Sequence, residues 1–283
     1  MSHIFYNEEE NNNNEDSIDN YKDMFIEYEN NKPTLSEALT QMFNSSDIKS
    51  SQYEVEELVN DILSKCKSTI EKTFDKITKK YPYITKNDAY IICSYTCESC
   101  DSFMSPYKLL NTSLVSDNRQ NRINKISKYL YILLASLRKL KRYYPNPKNN
   151  YLYRCINCKV NLAEDPFNKK YIPFKNGNIK TFWGFTSTSL NIEATYSFLK
   201  KKNKIKSGTV FSLGGDIWGY DISLFNFFRE EEILLEPERK YEIIKVFPPL
   251  NDVIYVDCKI LTTKLVLNNI KCNYENVIND VNN

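Results

Sequence analysis

The sequence predicts an α+β fold, with helices gathered in the first half and strands in the second. Two observations carry this. Amphipathic stripes at helical spacing recur up to about residue 143. After Pro145 and Pro147 the texture changes to short aromatic and β-branched runs parted by Asn, Gly, Pro and Lys clusters. Helices followed by strands, not alternating with them, exclude a doubly wound α/β sheet. With 283 residues, 41% hydrophobic and 13% aromatic, the chain is long enough to bury a substantial core.

Residues 1–32 are poor in apolar side chains and include the Asn/Glu run Glu8–Glu15. Such a segment cannot offset its ordering entropy, so it is expected to be a disordered acidic tail, with at most a short helix near Tyr21–Tyr28. Order is expected from Thr34-Leu-Ser-Glu37, which has capping-box spacing, with Leu35, Leu39, Met42 and Phe43 following at helical intervals. One long helix is expected over 53–80, its stripe formed by Val55, Leu58, Val59, Ile62, Cys66, Ile70, Phe74 and Ile77 and its end set by Pro82. Thr85 and Asp88 repeat the cap logic for a helix carrying Ala89, Ile92 and Cys93. Another helix spans about Arg122–Tyr143, and Arg138, Lys139, Lys141 and Arg142 at its end suit the helix dipole. Strands are expected at Tyr151–Ile156, Thr181–Ser187, Gly208–Ser212, Glu231–Leu235, Tyr241–Phe247 and Val253–Leu261. The expected organisation is a tail over 1–32, a helical accessory segment over 33–82, a main domain over 83–265 and a C-terminal tail over 266–283.

Composition excludes several function classes. Only six glycines are present, and none forms GxGxxG or GxxxxGK[ST], so a Rossmann site or a P-loop is excluded. His3, in the acidic tail, is the single histidine, which leaves Ser-His-Asp and Cys-His mechanisms without a base. The first 30 residues hold nine acidic side chains and one Lys, a net of −8, so the total of +2 leaves +10 on the remainder. That surplus suits either an anionic small molecule or plain solubility, the second being the simpler reading. Nothing in it forms a nucleic-acid stripe. No run approaches 18 apolar residues and no basic-then-apolar leader opens the chain, so the expectation is a cytoplasmic protein without a membrane partner. The eight cysteines are expected as thiols. Two CxxC pairs, Cys97/Cys100 and Cys155/Cys158, lie too far apart in sequence for a compact zinc site; scattered buried thiols are the simpler reading and no metal is expected.

Three clusters remain, all in the strand-rich half: Tyr153-Arg154, Phe185-Thr186-Ser187-Thr188-Ser189, and Arg229-Glu230-Glu231-Glu232-Ile233-Leu234-Leu235. A guanidinium presents a planar fork of donors suited to phosphate oxygens. Ser hydroxyls can orient a carboxylate. On a strand Glu230 and Glu232 would share one face while Glu231 points away.

In that order these residues resemble the R-S-E class of mono-ADP-ribosyltransferases, which includes arginine-specific animal enzymes and actin-modifying bacterial toxins. The resemblance covers about residues 80–265. Tyr90–Tyr95, Tyr107–Leu110 and Tyr129–Leu140 look like the family's helical lead-in, and Asp221–Phe228 occupies the place of its target-recognition loop. It implies a helical lobe packed on a two-sheet β-core, with NAD as co-substrate and a protein arginine as acceptor. Arg154 would bind the NAD pyrophosphate. Ser187 would orient Glu232, with Thr188 and Ser189 shaping the same strand. Glu232 would stabilise the oxocarbenium character that grows as nicotinamide leaves. Glu230 would engage the acceptor guanidinium, and Phe225, Phe227 and Phe228 would be either target contacts or buried packing. The family often has Gly where Cys155 stands. The backbone contacts offered to nicotinamide there survive a Cys unless the position needs a φ that only Gly adopts. Two alternatives follow: an NAD glycohydrolase, or an inactive relative that binds NAD or a partner, the reading that Cys155 supports.

Overall fold

The computed structural model describes residues 22–45, 52–97, 105–116, 118–145, 151–162, 173–201, 204–205, 207–228 and 230–261. The rest of the expected acidic tail, Cys100, Arg229 and the expected C-terminal tail lie outside the described residues. The chain divides into a helical unit, running up to Arg142 and including Ile222–Glu230, and a β-rich unit, Tyr143–Asp221 with Glu231 onward.

The helical unit contains α1 (Lys22–Asn30), α2 (Leu35–Asn44), α3 (Gln52–Glu71), α4 (Phe74–Lys80), α5 (Lys86–Thr96), α6 (Pro106–Val115) and α7 (Arg119–Leu137). Helix α7 is its axis, packing against α1, α2, α5 and α6. It buries Tyr129, Leu130, Leu133, Leu134 and Leu137. Both expected capping boxes are present: Thr34 with Glu37 opens α2, and Thr85 with Asp88 opens α5. Each cap stabilises its helix by about 1 kcal/mol. Asp88 does more. Its carboxylate is buried and also accepts bonds from Ser136 Oγ at 3.1 Å and Lys139 Nζ at 2.7 Å. Burial opposes its charge, but Lys139 and Thr85 together hold the carboxyl below its ordinary 3.8.

Two sequence expectations need correction here. The single helix over 53–80 is two helices, parted at Lys72–Thr73, where Thr73 Oγ1 donates back to the carbonyls of Thr69 and Ile70 at 3.3 and 3.4 Å. Such back-bonding bends helices. Helix α7 ends at Leu137, not near Tyr143, and Lys139 serves the Asp88 carboxylate instead of the helix dipole.

The β-rich unit contains β1 (Arg142–Tyr143, starting on the last helical-unit residue), β2 (Leu152–Ile156), β3 (Ile179–Phe182), β4 (Thr186–Thr188), α8 (Ile192–Leu199), β5 (Lys200–Lys201), β6 (Lys204–Ile205), β7 (Gly208–Gly215), β8 (Gly219–Asp221), β9 (Ile233–Leu235), β10 (Arg239–Val246) and β11 (Val253–Ile260). A five-stranded sheet has the order β2-β7-β11-β10-β3 and a four-stranded sheet the order β1-β8-β9-β4. Strand β11 pairs parallel with β7, whereas β2–β7, β10–β11, β10–β3, β4–β9 and β8–β9 pair antiparallel. One core lies between the sheets, with Leu152, Phe182, Phe211, Leu213, Tyr241 and Val256 meeting Ile233 and Leu235. Phe182 and Tyr241 stack at 4.2 Å. The expected strand Thr181–Ser187 is divided: β3 belongs to the larger sheet and β4 to the smaller.

Candidate active site

Strand β2 places Arg154. Its alternation sends Leu152 and Ile156 toward the inter-sheet core, and Arg154 shares that face opposite Phe211. The guanidinium lies 5.9 Å from the Phe182 ring centroid, within cation–π range, and its Nη1 donates to the Ser187 carbonyl at 3.3 Å. Nε is buried and has no hydrogen-bond partner among the described residues. An oxyanion acceptor would satisfy it.

Cys155 points the other way. It packs with Leu199, Val210 and Val253 beneath α8, on the face opposite Arg154. Burial pushes its thiol up to about 12. Its φ is not positive, since Glu238, Asn251 and Asp252 are the non-glycine residues with positive φ. The position therefore makes no demand that only Gly meets.

Ser187 sits next to Arg154 because the sheets are joined there. Tyr153 N donates to Ser189 O and Ser189 N to Tyr153 O, both at 2.8 Å, which ties the start of β2 to the end of β4. Three neighbouring hydroxyls then take different roles. Thr188 Oγ1 donates to the Ile233 carbonyl at 2.6 Å and fastens β4 to β9. Ser189 Oγ accepts from Asn191 N at 3.1 Å ahead of α8. The Ser187 hydroxyl makes no hydrogen bond among the described residues and is half-buried.

Glu232 immediately precedes β9. The register pairs Ser187 with Leu234, and Glu232, two positions earlier, continues that strand face. Ser187 and Glu232 are thus diagonal neighbours, at a spacing of roughly 7–8 Å between backbones that polar side chains can span. Glu232 is 5% exposed, whereas Glu231 is exposed. Glu230 is half-buried and belongs with the helical unit. The strand starts at Ile233, not at Glu231 as expected, so Glu231 and Glu232 precede it; their alternation in burial nevertheless follows the strand pattern. A close backbone approach holds this corner. A Cβ on Gly219 of β8 would lie 2.7 Å from Ile233 Cγ2 and 2.9 Å from the Leu234 carbonyl oxygen.

The loop Ile222–Glu230 is anchored within the helical unit. Phe225 is fully buried, 6.0 Å from the Tyr81 ring, and Phe227 N donates to Thr96 Oγ1 at 3.0 Å. Of the three phenylalanines considered for target contact, Phe225 is therefore an anchor against Tyr81, the residue that caps the end of α4. Phe227 is half-buried and Phe228 is 39% exposed, their rings meeting edge to face. The helix α8 and the strand β8 were missed in the sequence. Asn191, which accepts from Glu193 N and Ala194 N, was the available signal for α8. Among the described residues no group of three or more His, Cys, Asp or Glu is arranged to hold a metal ion. No helix among them is long and apolar enough to cross a membrane. Cys66, Cys93 and Cys97 instead lie buried together, and the two neighbouring thiols and burial raise the Cys66 thiol.

No protein-family model and no curated protein matches the sequence. Solved structures do resemble the fold. The Vis toxin, an ADP-ribosyltransferase from Vibrio splendidus, is 21% identical over 79% of this chain and 92% of its own, with a TM-score of 0.46. The ADP-ribosyltransferase HopU1 of Pseudomonas syringae pv. tomato is 16% identical over 71% and 87%, at 0.48. The type III effector XopAI of Xanthomonas axonopodis pv. citri is 11% identical over 88% and 95%, at 0.52. At that identity the XopAI likeness is one of architecture, and the chain shares its α+β fold with that effector.

Proposed function

We propose that the protein is a mono-ADP-ribosyltransferase that transfers ADP-ribose from NAD to an arginine side chain of a target protein. The observation that supports the reading is that Arg154 of β2 donates to the Ser187 carbonyl of β4 and that Glu232 directly precedes β9, the strand paired with β4, in the order that the sequence motif requires. In this reading the partly unsatisfied Arg154 guanidinium holds the NAD pyrophosphate, since a fork of charged donors suits phosphate oxygens. Ser187, whose hydroxyl is uncommitted, orients Glu232, and Thr188 and Ser189 hold the strand in place. The backbone of Cys155 stays available to the nicotinamide amide.

In the reaction the bond between nicotinamide nitrogen and ribose C1′ breaks. The nitrogen keeps the electron pair and the ribose gains oxocarbenium character. A Glu232 carboxylate beside it stabilises charge present only in the transition state. The acceptor guanidinium, paired with Glu230, attacks C1′ through nitrogen and gives up one proton. The non-positive φ of Cys155 and the packing of its side chain away from Arg154 favour this reading over an inactive relative.

The test is nicotinamide release from NAD with and without agmatine, in wild type, Glu232→Gln and Glu230→Gln. Release should fall about 100- to 1000-fold in Glu232→Gln. ADP-ribosyl-agmatine should be lost in Glu230→Gln while basal NAD cleavage persists. Release with no adduct in any protein would refute arginine transfer and favour hydrolysis; no release above Glu232→Gln would refute catalysis.

A further inference from the structure

The helical unit carries an open groove of about 630 Å³, walled on one side by α3 and α4 and on the other by the loop Ile222–Glu230. That is within the roughly 300–1,000 Å³ of ligand-sized clefts. Its charge is one-sided. Lys65, Lys72 and Lys76 line it at helical spacing among Ser and Thr hydroxyls, and no acidic residue does. Lys65 is paired with Asp61 at 2.6 Å. Lys72 and Lys76 are exposed and in no ion pair among the described residues. Around them, residues 64–80 contain six lysines against Glu71 and Asp75. The facing wall is apolar at its lip, formed by Leu224 and the half-buried Phe227.

This wall leads directly to Glu230. Glu230 lies three positions after Phe227, a reach of at most about 10 Å. An acceptor arginine held at Glu230 thus brings its flanking surface over the groove, and Ile222 and Phe225, both fully buried, keep the wall fixed. We propose that the groove selects the target protein, by receiving an acidic surface beside the acceptor arginine on Lys72 and Lys76 and an apolar side chain at Phe227. The proposal rests on the arginine-transfer reading for its acceptor, and not for the groove's ligand chemistry. Complementary charge of this kind sets specificity and encounter rate more than raw affinity.

The test uses short peptides with one central Arg flanked by Glu, by Gln or by Lys, and agmatine as an acceptor too small to reach the groove. Wild type should modify the Glu-flanked peptide with a kcat/KM about tenfold above the Gln-flanked one, the margin shrinking as salt rises. Lys72→Glu/Lys76→Glu should invert the order in favour of the Lys-flanked peptide, with agmatine turnover unchanged within about twofold. Equal use of Glu and Gln peptides by wild type, or an unchanged order in the double variant, would overturn the proposal. Should wild type modify no acceptor, the transfer reading fails, and the groove is judged by fluorescence anisotropy of the labelled Glu-flanked peptide. Tighter binding than the Gln peptide, lost in the double variant, upholds it. Equal binding of the two, or an oligouridylate bound at least as tightly, overturns it.

Discussion

Replacing Cys155 by Gly would give β2 the residue the sequence resemblance leads one to expect, and the structure predicts that the exchange is harmful to stability and neutral for NAD. Cys155 is 7% exposed and fills a small cluster with Leu199, Val210 and Val253. Its removal forfeits buried contact and leaves a void, about 1–2 kcal/mol for a side chain of this size. Glycine within a strand adds roughly 0.5–1 kcal/mol through backbone entropy. A total of about 1.5–3 kcal/mol corresponds to a fall in Tm of about 3–12 °C for a domain of this size. The measurement is a thermal melt by circular dichroism, beside the KM for NAD from nicotinamide release. KM should stay within about twofold, because the side chain lies on the strand face away from Arg154. The same burial lifts the Cys155 thiol from its ordinary 9.0 to about 12. Native protein at pH 8 should therefore resist iodoacetamide at Cys155 about a thousandfold better than unfolded protein. The sign for stability follows: the unfolded thiol ionises from about 9 upward and the folded one near 12, so this contribution is intact below 9 and is lost as pH rises toward 12. A Gly variant that melts like wild type and binds NAD tenfold more tightly would refute the placement.

Other outcomes follow from the packing. Asp88→Asn should cost about 2–4 kcal/mol in urea unfolding, since it strips Lys139 of its buried partner. Asp88 is held below 3.8, so the gap between wild type and variant should be full above that pH and close as pH falls through the lower folded value. Gly219→Ala forces a Cβ against Ile233 and the Leu234 carbonyl, and should lower stability by about 1–3 kcal/mol and reduce nicotinamide release through a displaced Glu232. Phe225→Ala should destabilise by about 3–5 kcal/mol in chemical denaturation, whereas Phe228→Ala should leave the midpoint unchanged.

The helices and caps were legible because their signals are local: a stripe of apolar residues, or a Thr with a carboxylate three positions on. The break at Lys72–Thr73 was not, because it has neither Pro nor Gly, and it depends on which way the Thr73 hydroxyl turns. The strands were legible as runs, but their partners were not. Nothing in the alternation of Thr181–Ser187 says that Phe182 joins the larger sheet and Ser187 the smaller. For the site, the order Arg154, Ser187, Glu232 could be read from residue types. What could not be read was the tie between Tyr153 and Ser189 that brings the first two together, since backbone hydrogen bonds across a distance of 36 positions leave no mark on composition. Phe225 was ambiguous for the same reason: its partner is Tyr81, far back in the chain.

The anchoring of Phe225 on Tyr81 also has a consequence for synthesis. The helical unit receives its final described piece, Ile222–Glu230, long after α7 is complete at Leu137. At about 5–20 residues per second, the ribosome needs roughly 4–17 s to make the stretch from Leu137 to Ile222. Through that interval the Tyr81 face has no Phe225 to cover it, and a nascent chain halted there would present an apolar seat open to chaperones. The lysine-lined groove acquires its second wall last, so the surface proposed to receive a target is among the latest features of the helical unit to form.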